Sequence, residues 1–193
     1  MRFTAFSSII LCCSLHSCNQ RVVSRIDPAT QTDLSGRWND SDSKLVADQM
    51  VQEFLSSEKF KEYAKVLGHK PGIMVGQIRN KTSEHIDSET FIKKFELAIF
   101  NSGVADMLES GDFRDKLRLE RVQQQDFASA ETTSKWGLET GADLMLFGEI
   151  TSQTDVYGNK KTVNYITTLF LTDLETNKRI WYGQNEIKKF IKN

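Results

Sequence analysis

Proline is nearly missing from this chain, with Pro28 and Pro71 the only two, so it carries no proline-rich spacer. Cysteine is just as confined. Cys12, Cys13 and Cys18 all lie in the N-terminal stretch IILCCSLHSC, and no thiol follows them. A disulfide framework or a zinc site needs thiols spread so that separate segments can be joined, which this clustering excludes. A cysteine nucleophile is excluded from the rest of the chain on the same ground. An excess of charge of either sign is also lacking: Lys+Arg is 25 against Asp+Glu at 26, with no long basic run. Binding a phosphate backbone requires clustered positive charge, so no nucleic-acid partner is expected. No phosphate-cradling loop is present, neither Gly-x-x-x-x-Gly-Lys-Ser/Thr nor a Gly-x-Gly-x-x-Gly opening a helix. The apolar run near the start is too short to cross a bilayer as a mature helix.

What is present begins with that run. Met1 and Arg2 form a short basic start, Phe3 to about Leu15 is apolar, and small or polar residues follow. This is the layout of a secretory signal. Leu15-His16-Ser17-Cys18 resembles the lipobox of bacterial lipoproteins, although His16 stands where a small residue is usual. The resemblance implies a signal peptide over 1–17 and diacylglycerol on the Cys18 thiol. An ordinary signal with incidental cysteines is the alternative. Two or three acyl chains would anchor the protein stably, since each buried methylene contributes ~0.8 kcal/mol. Residues 18–33, including RIDPATQTD, are polar and without periodicity. They read as a short tether that reaches at most ~50 Å when extended.

A folded domain is expected over 34–193. At 193 residues in all, with 39% hydrophobic and 26% charged, the chain suits one domain with a substantial core. NDSDSKLVADQMVQEFL aligns Val46, Met50 and Phe54 on one helical face, with Asp40 or Ser41 as cap and an end near Leu67 before GHKPG. GIMVGQI reads as a buried strand, RNKTSEHID as a polar loop, and SETFIKKFELAIF as an amphipathic helix capped by Asp87 or Ser88. VADMLES is a second candidate strand. GDFRDKLRLERVQQQ predicts a charged helix burying Phe113 and Leu117, with Asp112 and Lys116 paired one turn apart. SAETTSKWGLETG predicts a further helix from Ser129 to Gly141. The last third changes character: ADLMLFGEITSQTD, KTVNYITTLFLTDL and RIWYGQNEIKKFI are β-branched and aromatic, joined by the turns VYGN and ETNK. The fold class is therefore α+β: one mixed sheet ending in a three-stranded antiparallel meander, flanked by about four helices.

Catalytic signals are weak. Glu84-His85-Ile86-Asp87 is the one tempting cluster, yet neighbours in a loop rarely converge on one metal, and Asp87 is better read as a helix cap. Ser-x-x-Lys occurs at Ser41–Lys44 and Ser56–Lys59 without the partner motifs of penicilloyl-serine enzymes. No enzyme, metal, cofactor or small-molecule substrate is expected. Trp38, Trp136, Trp181 and Tyr182 are read first as packing residues and second as partner contacts. EIKKFIKN, with Lys188, Lys189 and Lys192, reads as an edge strand kept soluble by charge.

Four strings carry a wider resemblance: DLSGRWNDSD, VGQIRNKTSEHIDSETF, GADLMLFGEI and DLETNKRIWYGQNEIKKFI. Their content and order resemble the LpoB family, lipoprotein activators of bifunctional penicillin-binding proteins. The resemblance implies a non-catalytic, monomeric domain anchored by lipid to the outer membrane and facing the periplasm. Its implied partner is a class A penicillin-binding protein, whose glycan polymerisation and crosslinking it would stimulate. Arg79, Asn80, Lys81, Glu84 and His85 become candidate docking residues, as a polar loop leaving a strand often carries them; they equally suit holding the loop together. The departure is the tether, which is long and proline-rich in that family and short here. The family is distantly similar to CsgG-type secretion lipoproteins, so a self-assembling pore is one rival. Another is an envelope lipoprotein with some other protein partner.

Overall fold

The computed structural model describes residues 22–133 and 139–192. They belong to two units, a leading segment that ends at Thr30 and a body that starts at Gln31. In the leading segment Asp27 shapes a turn: its carboxylate accepts from the Ala29 N–H at 2.8 Å and its carbonyl from the Thr30 N–H at 2.9 Å. The expected signal peptide, the lipobox-like string and Trp136 lie outside the described residues.

The body opens on helix α1, Asp40–Ser56. Its cap is Asn39, one residue before the expected position, because Asn39 and Asp42 form a reciprocal capping box that Asp40 and Ser41 cannot complete. The buried face of α1 is Val46, Ala47, Met50 and Phe54. The single helix expected to run to Leu67 is instead two. Ser57 adopts an extended conformation, donates its N–H to the Phe54 carbonyl, and accepts from the Phe60 N–H to start helix α2, Glu58–Leu67. The serine hydroxyl offers the backbone a cap in place of a helical turn. The gain is packing, since the break brings the Phe60 ring to 4.5 Å from that of Phe54.

Strand β1, Gly72–Asn80, is followed by helix α3, Ser88–Ser102, which Asp87 caps. Strand β2 is only Asp106–Leu108, and helix α4 spans Gly111–Phe127. Three 14-residue strands complete the body: β3, Leu144–Tyr157; β4, Lys160–Asp173; and β5, Arg179–Lys192. The sheet order is β2-β1-β3-β4-β5, parallel from β2 to β3 and antiparallel from β3 to β5. This is the α+β architecture expected, with the meander at one end. Among the described residues no helix is long and apolar enough to cross a membrane.

Strict alternation in β3 and β4 decides where the core lies. Leu144, Leu146, Gly148, Ile150, Val163, Tyr165, Thr167, Leu169 and Leu171 are buried, and the residues between them are half-exposed. Onto that inner face α1 and α3 bring Phe54, Phe91, Phe95 and Ile99. Trp181 joins them, its ring 5.4 Å from Phe54 and 5.8 Å from Phe95. Each such side chain contributes about 1.5–3 kcal/mol of hydrophobic stabilisation. Gly148 sits at a close approach of β3 and β4: a Cβ there would lie 2.5 Å from the Thr168 carbonyl oxygen.

Three expectations need correction. Helix α4 buries none of its residues, and Phe113 and Leu117 are 62% and 46% exposed. No Asp112–Lys116 pair forms among the described ion pairs; Lys116 sits instead 5.7 Å over the Phe113 ring. The helix expected from Ser129 is, over its described residues, a single turn closed by the Thr133 N–H on the Ser129 carbonyl at 2.9 Å, with Glu139 and Thr140 irregular; the residues between lie outside the described set. The lysines of β5 also divide. Lys188 and Lys192 are exposed on this edge strand, but Lys189 is only 10% exposed and bridges Asp33 and Asp42 at 2.6 Å each. Burial works against its charge, yet the bonds to Asp33 and Asp42 outweigh it and raise the pKa above that of an ordinary lysine.

Candidate partner-binding face

Of the five candidate residues, Arg79 and Asn80 still belong to β1, which runs past the expected start of the loop because both pair with β3. Lys81, Glu84 and His85 lie in the loop after it, and the structure sorts the five into two kinds. Asn80 and Glu84 hold the loop together. The Asn80 side chain donates to the Glu84 carbonyl at 2.7 Å and accepts from the Thr82 N–H at 2.9 Å and the Thr82 hydroxyl at 2.8 Å. Glu84 turns inward: its carboxylate accepts from the Tyr165 hydroxyl at 2.7 Å and from the Trp38 N–H at 3.1 Å. Tyr165 is fully buried, and burial, followed by this bond to Glu84, pushes its phenol above the usual pKa. Ile86 anchors the same loop in a small apolar cluster with Ile150, Val163 and Tyr165.

Arg79, Lys81 and His85 are exposed. Arg79 is paired in register with Glu149, whose neighbours Gly148 and Ile150 are buried, so Arg79 and Glu149 share the face turned away from the core. Lys81 closes on the same carboxylate, its Nζ 2.5 Å from Glu149 Oε2, while its N–H extends the ladder onto the Ile150 carbonyl at 2.8 Å. Lys81 first and Arg79 after it hold the Glu149 carboxyl below its ordinary pKa. His85 stands apart from this pair. It lies beside Asp87, whose lowered pKa comes mainly from the Thr90 hydroxyl and the Glu89 amide, with His85 adding to it.

The outer face continues across the sheet from Glu149. In the neighbouring row, Phe147, Phe170 and Tyr182 occupy partnered positions on β3, β4 and β5. The Phe147 and Phe170 rings are 5.8 Å apart, and the Arg179 guanidinium stacks 4.2 Å above Phe170 and 5.8 Å from Tyr182. Arginine stacked on half-buried Phe170 and exposed Tyr182 is a composition enriched among the residues that dominate protein–protein contact energies. Sequence reading singled out Tyr182 but missed Arg179, Phe147, Phe170 and Glu149. The alternation of β3 and β4 was the signal that could have found them, once the inner face was known.

A family model described as the peptidoglycan-synthase activator LpoB matches residues 42–187. Among solved structures, the LpoB C-terminal domain of Salmonella enterica aligns at 14% identity and TM-score 0.36, covering 66% of this chain and 91% of that one. The corresponding domain of Escherichia coli LpoB aligns at 16% identity and TM-score 0.34, over 67% and 94% of the two chains. Lipoprotein GNA1162 of Neisseria meningitidis aligns at 13% identity and TM-score 0.38, over 62% and 83%. No curated protein matches the chain as a relative.

Proposed function

Because the chain belongs to the LpoB family of peptidoglycan-synthase activators, we propose that it binds a class A penicillin-binding protein and stimulates its synthesis of peptidoglycan. The family match over residues 42–187 carries this reading. The protein acts as a regulator rather than an enzyme: it would bias its partner toward an active conformation by binding that state more tightly. It is held at the outer membrane, facing the periplasm, by lipid on Cys18, with residues 18–33 as the tether, and it works as a monomer. The outer face of the sheet docks the partner. Arg79 and Lys81 supply charge at one end, and the Phe170–Arg179–Tyr182 stack supplies desolvated contact area beside them.

The test is capture of the organism's class A penicillin-binding proteins by the lipidated protein, followed by a glycan-polymerisation assay. Stimulated polymerisation by at least one of them is expected. The charge reversal R79E/K81E should weaken binding about tenfold, mostly through slower association. Failure to bind or stimulate any of these synthases removes the proposal.

A further inference from the structure

The two edges of the sheet are built differently. At the β5 edge Lys188 and Lys192 are exposed, a pattern that discourages strand addition. The other edge changes owner partway along. Strand β2 covers β1 only at Gly72, Ile73 and Met74, while β1 continues to Asn80 and stays paired with β3 on its far side. Among the described residues no backbone hydrogen bond reaches Val75–Asn80 from the β2 side. That leaves about 20 Å of strand edge at ~3.3 Å per residue.

A groove runs along this uncovered edge. Its floor is Val75, Gly76 and Ile78, one wall is α3, and the other is the start of α4, around a hollow of 530 Å³. A second hollow of 320 Å³ adjoins it, sharing Lys93, Glu96, Ser110 and Phe113. Both fall in the size range of real binding sites. Leu97, Phe100 and Phe113 line the second hollow and are 59%, 68% and 62% exposed, an apolar surface that nothing in the body covers. The rim is acidic. Glu89, Glu96, Glu109 and Asp112 line the two hollows beside Lys93, which Glu96 already engages at 2.7 Å, with Lys116 over the Phe113 ring as the other cation at hand. The Ser110 side chain makes no capping bond to α4, so the first-turn N–H groups of that helix are left to donate to a carbonyl of an occupant.

We propose that this edge is a slot for an extended, basic segment of a partner protein, which joins the sheet as a strand in line with β2. Main-chain bonds to Val75–Asn80 would supply affinity, and alternate side chains would supply specificity: apolar ones over Leu97 and Phe113, basic ones toward the carboxylates. A second copy meeting this one groove to groove is a poor occupant, because it would bring an identical acidic rim against the first. A second copy presenting its β5 edge would bring Lys188 and Lys192, and self-association without peptide would overturn the proposal. The slot shares strand β1 with the outer sheet face assigned above to the synthase, Arg79 lying in both, but it uses the strand's backbone edge and does not depend on that assignment.

The test uses the full-length protein in detergent and a short capped peptide of alternating lysine and valine. Hydrogen exchange is followed with and without peptide. Added protection of those Val75–Asn80 amides that face away from β3 is expected, with binding that weakens as salt is raised. Replacing the lysines by glutamate, or placing proline at the centre of the peptide, should each reduce affinity about tenfold or more. The variant E89Q/D112N, altered at two exposed positions, should lose affinity similarly while keeping its unfolding transition. Equal binding of the proline peptide, protection on β5 instead of β1, or salt-independent binding would each overturn the proposal.

Discussion

At the scale of single residues, Glu84 matters more to the architecture than to any partner. Its carboxylate satisfies the hydroxyl of Tyr165, which is 0% exposed, and the N–H of Trp38, a residue far away in sequence. Glu84→Ala would strand a buried donor, so a loss of about 1–3 kcal/mol is expected in urea unfolding. Substitutions at exposed Arg79, Lys81 or His85 should change stability by no more than ~0.5 kcal/mol. Equal stability of E84A and the parent protein would show that the loop is held by other means. Tyrosine ionisation gives a second measurement. Burial, then the bond to Asp173, raises the Tyr63 phenol above its usual pKa, and Tyr165 is raised in the same way. A phenol raised on folding stabilises fully below its ordinary pKa of about 10 and loses that contribution as pH climbs through the folded value. Urea midpoints should therefore fall on the alkaline side of that ordinary value, and Tyr63→Phe should make the fall shallower. An unchanged alkaline slope in the variant would contradict this.

At the scale of elements, α4 is the exception in the fold. It buries no side chain, and what ties it to the body is charge. Arg114, Arg118 and Arg121, spaced along one stripe of the helix, converge on Glu139 at 2.7, 2.9 and 3.0 Å. Arg118, then Arg114, draw the Glu139 carboxyl down to a pKa of about 2. A carboxylate depressed on folding contributes above its ordinary pKa of about 4.3 and loses that contribution as pH falls toward the folded value. Glu139→Gln should therefore speed amide exchange across Gly111–Phe127 several-fold while β3, β4 and β5 stay protected. High salt should act in the same direction on the parent protein, because exposed ion pairs are screened. Exchange in α4 that ignores both perturbations would place its anchor elsewhere. The break at Ser57 has the opposite character, since it trades helical continuity for contact between Phe54 and Phe60.

At the scale of the whole molecule, the proposed activity depends on reach. The proposed tether over 18–33 would extend to at most ~50 Å, so the partner must come within that distance plus the span of the body from the anchoring membrane. Cys18→Ala is expected to move the protein from the membrane fraction to the soluble periplasmic fraction while the unfolding of the body stays unchanged, because the body is a separate unit beginning at Gln31. Fractionation and mass spectrometry of extracted protein check this together. An unacylated Cys18 on a protein still bound to membranes would point to a different anchor.

The elements with the strongest local patterns were legible in the amino-acid order. Alternation in Leu144–Tyr157 and Lys160–Asp173, the turns VYGN and ETNK, and the Asp87 cap of α3 follow from side-chain periods and capping chemistry, which neighbours along the chain determine. The family strings likewise exposed the membership before any coordinate was known. The polar loop after β1 was visible too, but not the division of labour within it. Whether Glu84 faces a partner or Tyr165 depends on a residue of a different strand, and whether Arg79 pairs with a partner or shares Glu149 with Lys81 depends on sheet register. For the same reason Phe113 and Leu117 gave a misleading signal: an apolar stripe states that a helix can be buried, and only the tertiary structure decides whether a surface is there to bury it. Local sequence thus determined the elements and the order of the meander. The assembled sheet alone decided which polar side chains were consumed inside the fold and which edge was left open, because those outcomes rest on contacts between residues far apart in the chain.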